Sequence, residues 1–402
     1  VTSSTLSASS FLWEYGASDS DLGNVINKPL VGMLENGATP VVIVGNGTNS
    51  VTGKATLLVL NAKTGGLVRK CTPSNAANAK NNGMGPLSFV SLNNNGKINF
   101  VYGADYLGNV WRMDPNLTGT GCGTNAELIF SATYTGSDAV KRAQPITGEM
   151  TVISAPSGKS GYMLTFGTGS YITAGDPGST DVQSLYGIWD DLGTGGITRA
   201  DLVAQQIITT STLPGTRTTT AVTTEPSSAN MAWYAQSGKK GWYLDLTCSN
   251  AALCPSGERM VSTPTWQNAA AGPRLWFLTL VPSTDPCKVS GGGWLTSLDP
   301  TSGGYVKGFE TLTQNSTTIS GVAPRGLFFV QRTATTTNPT TNILFVSVRI
   351  TSGAVPTPQG LVSSGGIRIG SDGSGTGVLG FGVSANASTT FGTRRQVWRQ
   401  IQ

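Results

Sequence analysis

The chain has 402 residues, 26 Lys and Arg against 21 Asp and Glu, 12% charged residues, 53 glycines and no histidine. Without histidine it has no Ser-His or Cys-His nucleophile pair and lacks the usual zinc ligand, which sets aside most hydrolase and metalloenzyme chemistry. A formal charge of +5, carried in short clusters such as Lys239-Lys240 and Arg394-Arg395, does not make a nucleic-acid surface.

The first ten residues, VTSSTLSASS, are polar and uncharged, unlike a signal peptide. The chain therefore reads as a mature fragment; if it is secreted, its export signal was removed or lies upstream. No apolar run approaches the ~18 residues of a membrane helix. Strand-length apolar runs then follow in order: VVIVG at 41–45, ATLLVLN at 55–61, INFVYG at 98–103, NVWRMD at 109–114, GYMLTFG at 161–167 and SLYGIWD at 184–190. After them come GWYLDL at 241–246, RLWFLTL at 274–280, GWLTSLD at 293–299, GLFFVQ at 326–331 and ILFVSV at 343–348. Each is rich in β-branched or aromatic residues and bounded by Gly, Asn, Asp or Pro, which predicts strands. TRADLVAQQI at 198–207 is the best helical stretch. Two Thr-rich segments, 209–228 and 332–342, read as exposed loops or long hairpins and as the plausible recognition surfaces.

The fold class is all-β. An apolar strand, then G(N/T)G or GAD, then a second strand ending in Asp or Asn recurs along the chain, as in VVIVGNGTNSVTGKATLLVLNAKTGG and NFVYGADYLGNVWRMDPNLTG. This spacing suggests propeller blades, roughly seven at 40 to 60 residues each, in a single domain over residues 1–402. A tandem of β-sandwiches is the alternative. LWEY near the start and VWRQI at the end are placed to close the ring in one blade.

SLNNNGKIN at 91–99 has the outline of a calcium loop without its charge. Ser91, Asn93, Asn95 and Asn99 fall at ligand positions, Gly96 at the sharp turn, and the Lys97 carbonyl at the seventh position. Affinity in such loops follows the number of carboxylates, and none is present. The leading reading is a metal-free turn in which the asparagines bond the backbone. The alternatives are weak calcium binding, or binding completed by a distant carboxylate, with Asp105 the nearest.

Of the five cysteines, Cys248 and Cys254 are the favoured hairpin-type pair. Cys71 and Cys122 flank the 91–99 stretch and form the second candidate pair, leaving Cys287 over; buried thiols are the alternative. Trp111, Trp189, Trp294 and Trp398 recur at equivalent strand positions and read as blade core, or as sugar platforms where exposed. Asp114, Asp190, Asp245 and Asp299 each end a strand, where a carboxylate bonds turn amides; they are not read as paired catalytic acids. GNGTNSVTG at 45–53, FGTGS at 166–170 and GSDGSGTG at 370–377 read as turns needing positive φ, because no Lys-Ser/Thr follows at a helix start.

LWEYGASDSDLGNVINKPLV at 12–31, VYGADYLGNVWRMD, AQPIT at 143–147, FGTGSYI, QSLYGIWD, GERMVSTP at 257–264, DPCKVSGGGWLTSLD at 285–299 and RRQVWRQI follow one another in a specific order. In that order the chain resembles the C-terminal domain of the PilC/PilY family of type IV pilus tip and biogenesis proteins. The resemblance implies a modified β-propeller that is not an enzyme, promotes pilus assembly, opposes retraction and mediates adhesion to host or abiotic surfaces. It implies export through the periplasm to the pilus tip of a Gram-negative bacterium, with minor pilins as partners and a surface receptor that is not specified. The family's larger N-terminal part is not represented in these residues. Members carry a D-x-[DN]-x-D-G-x-x-D calcium loop before YAGD-x-x-GN-x-W, which is where 91–99 lies. No cofactor is firmly implied; calcium is the one candidate. The competing readings are a quinoprotein-like propeller dehydrogenase, suggested by LLVLNAKTG and GNVWRMD but lacking a Cys-Cys pair, and a purely structural spacer.

Overall fold

The computed structural model describes residues 11–16, 18–93, 95–116, 126–156, 158–193, 195–208, 216–220, 232–269, 272–282 and 292–305, with the backbone of five further strands between 316 and 382. All eleven apolar runs named above lie on strands. They pair antiparallel into successive sheets, each built mostly from neighbouring stretches of chain.

The first sheet runs Leu67–Cys71, Leu57–Asn61, Pro40–Gly45, Leu30–Leu34, and the second Met84–Val90, Phe100–Asp105, Asn109–Met113, Ala126–Ser131. The third runs Thr151–Ser154, Tyr162–Gly167, Ser184–Asp190, Gly241–Asp245, Val203–Gln205. The fourth begins with Thr265–Ala269, Gly272–Leu278, Gly292–Leu298 and Ser316–Ser320, then takes back Thr216–Thr219 and Ile207–Ile208 from earlier in the chain. The fifth contains Ala323–Arg332, Thr341–Arg349, Thr376–Gly382 and Arg368–Ser371. A small ribbon, Thr133–Thr135 with Lys141–Ala143, stands apart.

Period-two alternation explains why the central strands are apolar throughout. In the second sheet Val101 and Met113 point into a core shared with the first sheet, whereas Tyr102 and Val110 point into a core shared with the third. Met163 and Leu185 of the third sheet likewise pack against Leu275 and Phe277 of the fourth, while Leu164 and Ile188 face back. A strand buried on both faces loses the polar half of the usual alternation. Packing sheet against sheet through three successive cores is the arrangement of a propeller. Burying each large side chain contributes about 1.5–3 kcal/mol, and Trp111, Trp233 and Trp242 are wholly inaccessible. Gly187 is needed for this packing, since a Cβ there would lie 2.2 Å from the Trp242 indole nitrogen.

Buried polar side chains stitch strand ends to neighbours. The Asn46 side chain accepts from the Thr56 and Met84 amides, at 3.0 and 2.8 Å, and donates to the Asp21 and Lys54 carbonyls. It thereby ties the first sheet to the strand Met84–Val90 of the second. Within the third sheet, Thr168 after Gly167 exchanges hydrogen bonds with the Ser184 backbone and fastens two adjacent strand ends.

Several expectations need correction. The stretch 198–207 is not a helix: Asp201 accepts from the Thr198 amide and hydroxyl, closing one turn over Arg199–Asp201. The chain then extends as Val203–Gln205, which pairs in parallel with Trp242–Leu244. In the Thr-rich segment 209–228 the exposed-loop reading fails where Arg217 is buried on Thr216–Thr219, but the hairpin alternative fits, since Ile207 and Ile208 pair antiparallel with Thr219 and Thr218; 209–215 and 221–228 lie outside the described residues. The second Thr-rich segment fits a long hairpin, with Arg332 opposite Thr341; 333–340 lies outside the described residues. The count of about seven blades is not established, since the described residues make five sheets of four to six strands with no pairing of first to last. Leu12 to Tyr15 forms no strand, and its partner VWRQI lies outside the described residues. Among the described residues no helix is long and apolar enough to cross a membrane.

Candidate functional site

The 91–99 stretch connects Met84–Val90 to Phe100–Asp105 within the second sheet. Its turn needs Gly96, whose φ of +74° lies in the left-handed region. The Asn95 side-chain oxygen accepts from the Lys97 amide at 2.9 Å, an Asx turn, and from the Ser91 hydroxyl at 3.2 Å. The Asn99 oxygen accepts from the Leu92 amide at 2.8 Å. Asn95 and Asn99 are thus committed to holding the loop's own backbone, and Ser91 to the Asn95 side chain. Asn93 has no hydrogen bond of its side chain among those described, and Asn94 lies outside the described residues.

A neighbour absent from the sequence reading completes the loop. Glu35, just past the first sheet's strand Leu30–Leu34, accepts from the Asn95 amide nitrogen at 3.2 Å, and its carbonyl accepts from the Lys97 ammonium at 3.2 Å. Among the described residues no group of three or more His, Cys, Asp or Glu is placed to hold a metal.

Asp105, the carboxylate nearest in sequence, faces elsewhere. Six residues of strand carry it ~20 Å from the loop. There it is wholly buried and accepts from the Leu107 and Asn109 amides, from the side chains of Asn82 and Asn109, and from the Trp111 indole at 2.8 Å. Burial pushes its carboxyl up, against the pull of the Asn109, Asn82 and Trp111 hydrogen bonds. Its place in YGADYLGNVW is that of a scaffold knot linking the GAD and GNVW pieces of the repeat.

The strand-ending aspartates behave similarly. Asp114 accepts from the Asn116 amide, Asp190 from the Leu192 amide and Asp299 from those of Thr301 and Ser302. Asp190 also joins sheets: Tyr102 donates to it at 2.6 Å from the second sheet, and Arg112 at 2.6 and 2.7 Å. Burial first, then the Asp190 charge, drives the Tyr102 hydroxyl far above its usual pKa. Asp245 departs from the pattern, accepting from Ser184 and Arg199 rather than from a turn amide. The Arg199 guanidinium lies 3.8 Å from the Tyr243 ring centroid, with Tyr134 and Tyr186 beside it.

Trp111 and Trp294 are core, and Trp294 lies 4.1 Å beneath the buried Arg217 guanidinium. Trp189 is half-buried against Trp233, with the Lys240 and Lys159 ammonium groups near its ring. Trp398 lies outside the described residues. Cys248 and Cys254 are disulfide-bonded, as their spacing suggested. Cys71 is also disulfide-bonded; Cys122 and Cys287 lie outside the described residues. The 45–53 turn has positive φ at Gly47, Asn49 and Gly53, and FGTGS has it at Gly169.

Residues 15–213 match the family described as the PilY1 beta-propeller domain. A type IV pilus biogenesis factor PilY1 homolog of Xylella fastidiosa is 37% identical over 328 residues, covering 77% of this chain and 21% of the relative. The type IV pilus biogenesis factor PilY1 of Pseudomonas aeruginosa is 30% identical over 322 residues, 73% of this chain and 27% of that one. The chain therefore spans roughly a fifth to a quarter of the length of these curated relatives. The crystal structure of the Pseudomonas aeruginosa PilY1 C-terminal domain superposes with a TM-score of 0.63 at 23% identity, over 87% of this chain and 74% of the other. The ordered motifs, the shared cores between successive sheets and these likenesses agree: the chain belongs to the PilY1 family, as the β-propeller region found in its C-terminal domain.

Proposed function

We propose that this chain is the propeller domain of a type IV pilus biogenesis factor. It promotes pilus assembly, modulates retraction and mediates adhesion by binding rather than by catalysis. The observation that carries this reading is the 37% identity over 328 residues with a protein named for that role. The geometry supports binding over chemistry, because the aspartates singled out by their positions are each taken up by turn amides, arginines or neighbouring sheets. The quinoprotein-like dehydrogenase is not favoured by these relatives. In this reading the chain is one domain, reaches the pilus tip of a Gram-negative cell through the periplasm, and meets minor pilins and a surface receptor there.

The test is an in-frame deletion of the propeller from the full-length protein in its own host, with surface pili counted and twitching measured. Loss of surface pili, with the truncated protein still exported, is expected. Normal piliation would overturn the proposal. The spacer reading differs in adhesion: a propeller that only spaces other parts leaves attachment unchanged when a linker of similar reach replaces it.

A further inference from the structure

The 91–99 loop belongs to the second sheet by connectivity, yet its outward contacts reach the first. Lys97 and Ile98 extend the first sheet in parallel, opposite Met33 and Leu34. The Glu35 amide donates to the Ile98 carbonyl at 3.1 Å. Asn95 and Lys97 grip the Glu35 carboxylate and carbonyl from the other side. Asn116, following the second sheet's third strand, donates to the Ile98 and Asn99 carbonyls at 3.0 and 2.6 Å and accepts from the Asn36 amide at 3.3 Å.

A divalent cation in such a loop needs six or more oxygen ligands and carboxylate charge to offset its dehydration. These residues do not fit it. The Asn95 and Asn99 oxygens would have to give up hydrogen bonds that define the turn. The loop supplies no carboxylate, and the Lys97 ammonium adds charge of the wrong sign.

We propose that the 91–99 loop is a cation-independent clamp between the first and second sheets, in which the Asn95 amide and the Lys97 ammonium hold Glu35 in place of a bridging metal. Coupling between these sheets is then constitutive and insensitive to the calcium level outside the cell. Glu35, not Asp105, is the carboxylate that faces the loop. The inference stands on this geometry and not on the pilus reading.

Amide hydrogen exchange on the 402-residue chain tests it, with Glu35 and Asn99 as reporters because their amides donate to Ile98 and Val90. Equal protection in millimolar calcium and in chelator is expected, with no heat of calcium binding by calorimetry. Lys97→Met should speed exchange at Glu35 about fivefold, the fold-change of one net hydrogen bond. Asn95→Asp sets a second carboxylate against Glu35; protection should fall in chelator and return in calcium. Calcium-dependent protection or binding heat in the native chain overturns cation independence. Unchanged Glu35 exchange in Lys97→Met overturns the clamp, and an Asn95→Asp chain indifferent to calcium overturns the pairing of position 95 with Glu35.

Discussion

Replacing Asp105 with asparagine keeps its shape and removes one acceptor. One carboxylate oxygen accepts from Asn82, Asn109 and Trp111, the other from the Leu107 and Asn109 amides and weakly from the Asn109 side chain. Whichever oxygen becomes an amide nitrogen, at least two donors then face another donor. Leaving a buried donor unsatisfied costs about 1–3 kcal/mol, so Asp105→Asn should destabilise by about 2–6 kcal/mol. Urea titration gives this number, with an unchanged slope showing that the same surface is exposed on unfolding. The loss should be equal with calcium or chelator present, because Asp105 holds strand ends rather than a cation. A loss below ~1 kcal/mol, or one that calcium repairs, would refute the assignment.

Three further outcomes are expected. Replacing Cys248 and Cys254 together with serine should cost about 2 kcal/mol, the chain-entropy value for so short a loop, read as a lower urea midpoint. Glu258→Gln should cost about 3–5 kcal/mol, because Arg217 is left charged and buried after losing a pair at 2.7 and 2.8 Å; a loss under ~1 kcal/mol would show that water reaches the pair. Partial burial raises the Asp176 carboxyl, but hydrogen bonds from Thr173, Ser170 and Ile172 outweigh it and hold the group below its ordinary 3.8. Its stabilisation is therefore complete above that value and lost as pH falls through its depressed native value. The melting temperature of the native chain should fall in that acid window more steeply than that of Asp176→Asn; equal slopes would contradict the assignment.

The central strands were legible because both faces are buried, as LLVLN and NVWRM show. MGPLSFV is buried nearly throughout but carried no such signal because Gly, Pro and Ser interrupt its apolar run, and LVRKC, at a sheet margin, has two charges. The turn at 91–99 was legible from Gly96 and the asparagines flanking it, since an Asx turn is local chemistry. Glu35 was not, because it reaches Asn95 from 60 residues away on another sheet. Asp105 misled for the converse reason, as closeness in sequence along a strand is distance in space. The buried Arg217 was hidden in a Thr-rich run that looks like loop, and only its distant partner Glu258 explains its burial.

The proposed role of this propeller in pilus biogenesis is open to a direct test: grafting the chain in place of the matching region of the Xylella fastidiosa PilY1 homolog and counting surface pili in cells lacking the native protein. Restored pili are expected, and equally so for a graft carrying a conservative change at Trp189, which packs against Trp233. A chimera that is exported intact and leaves the cells without pili would contradict it.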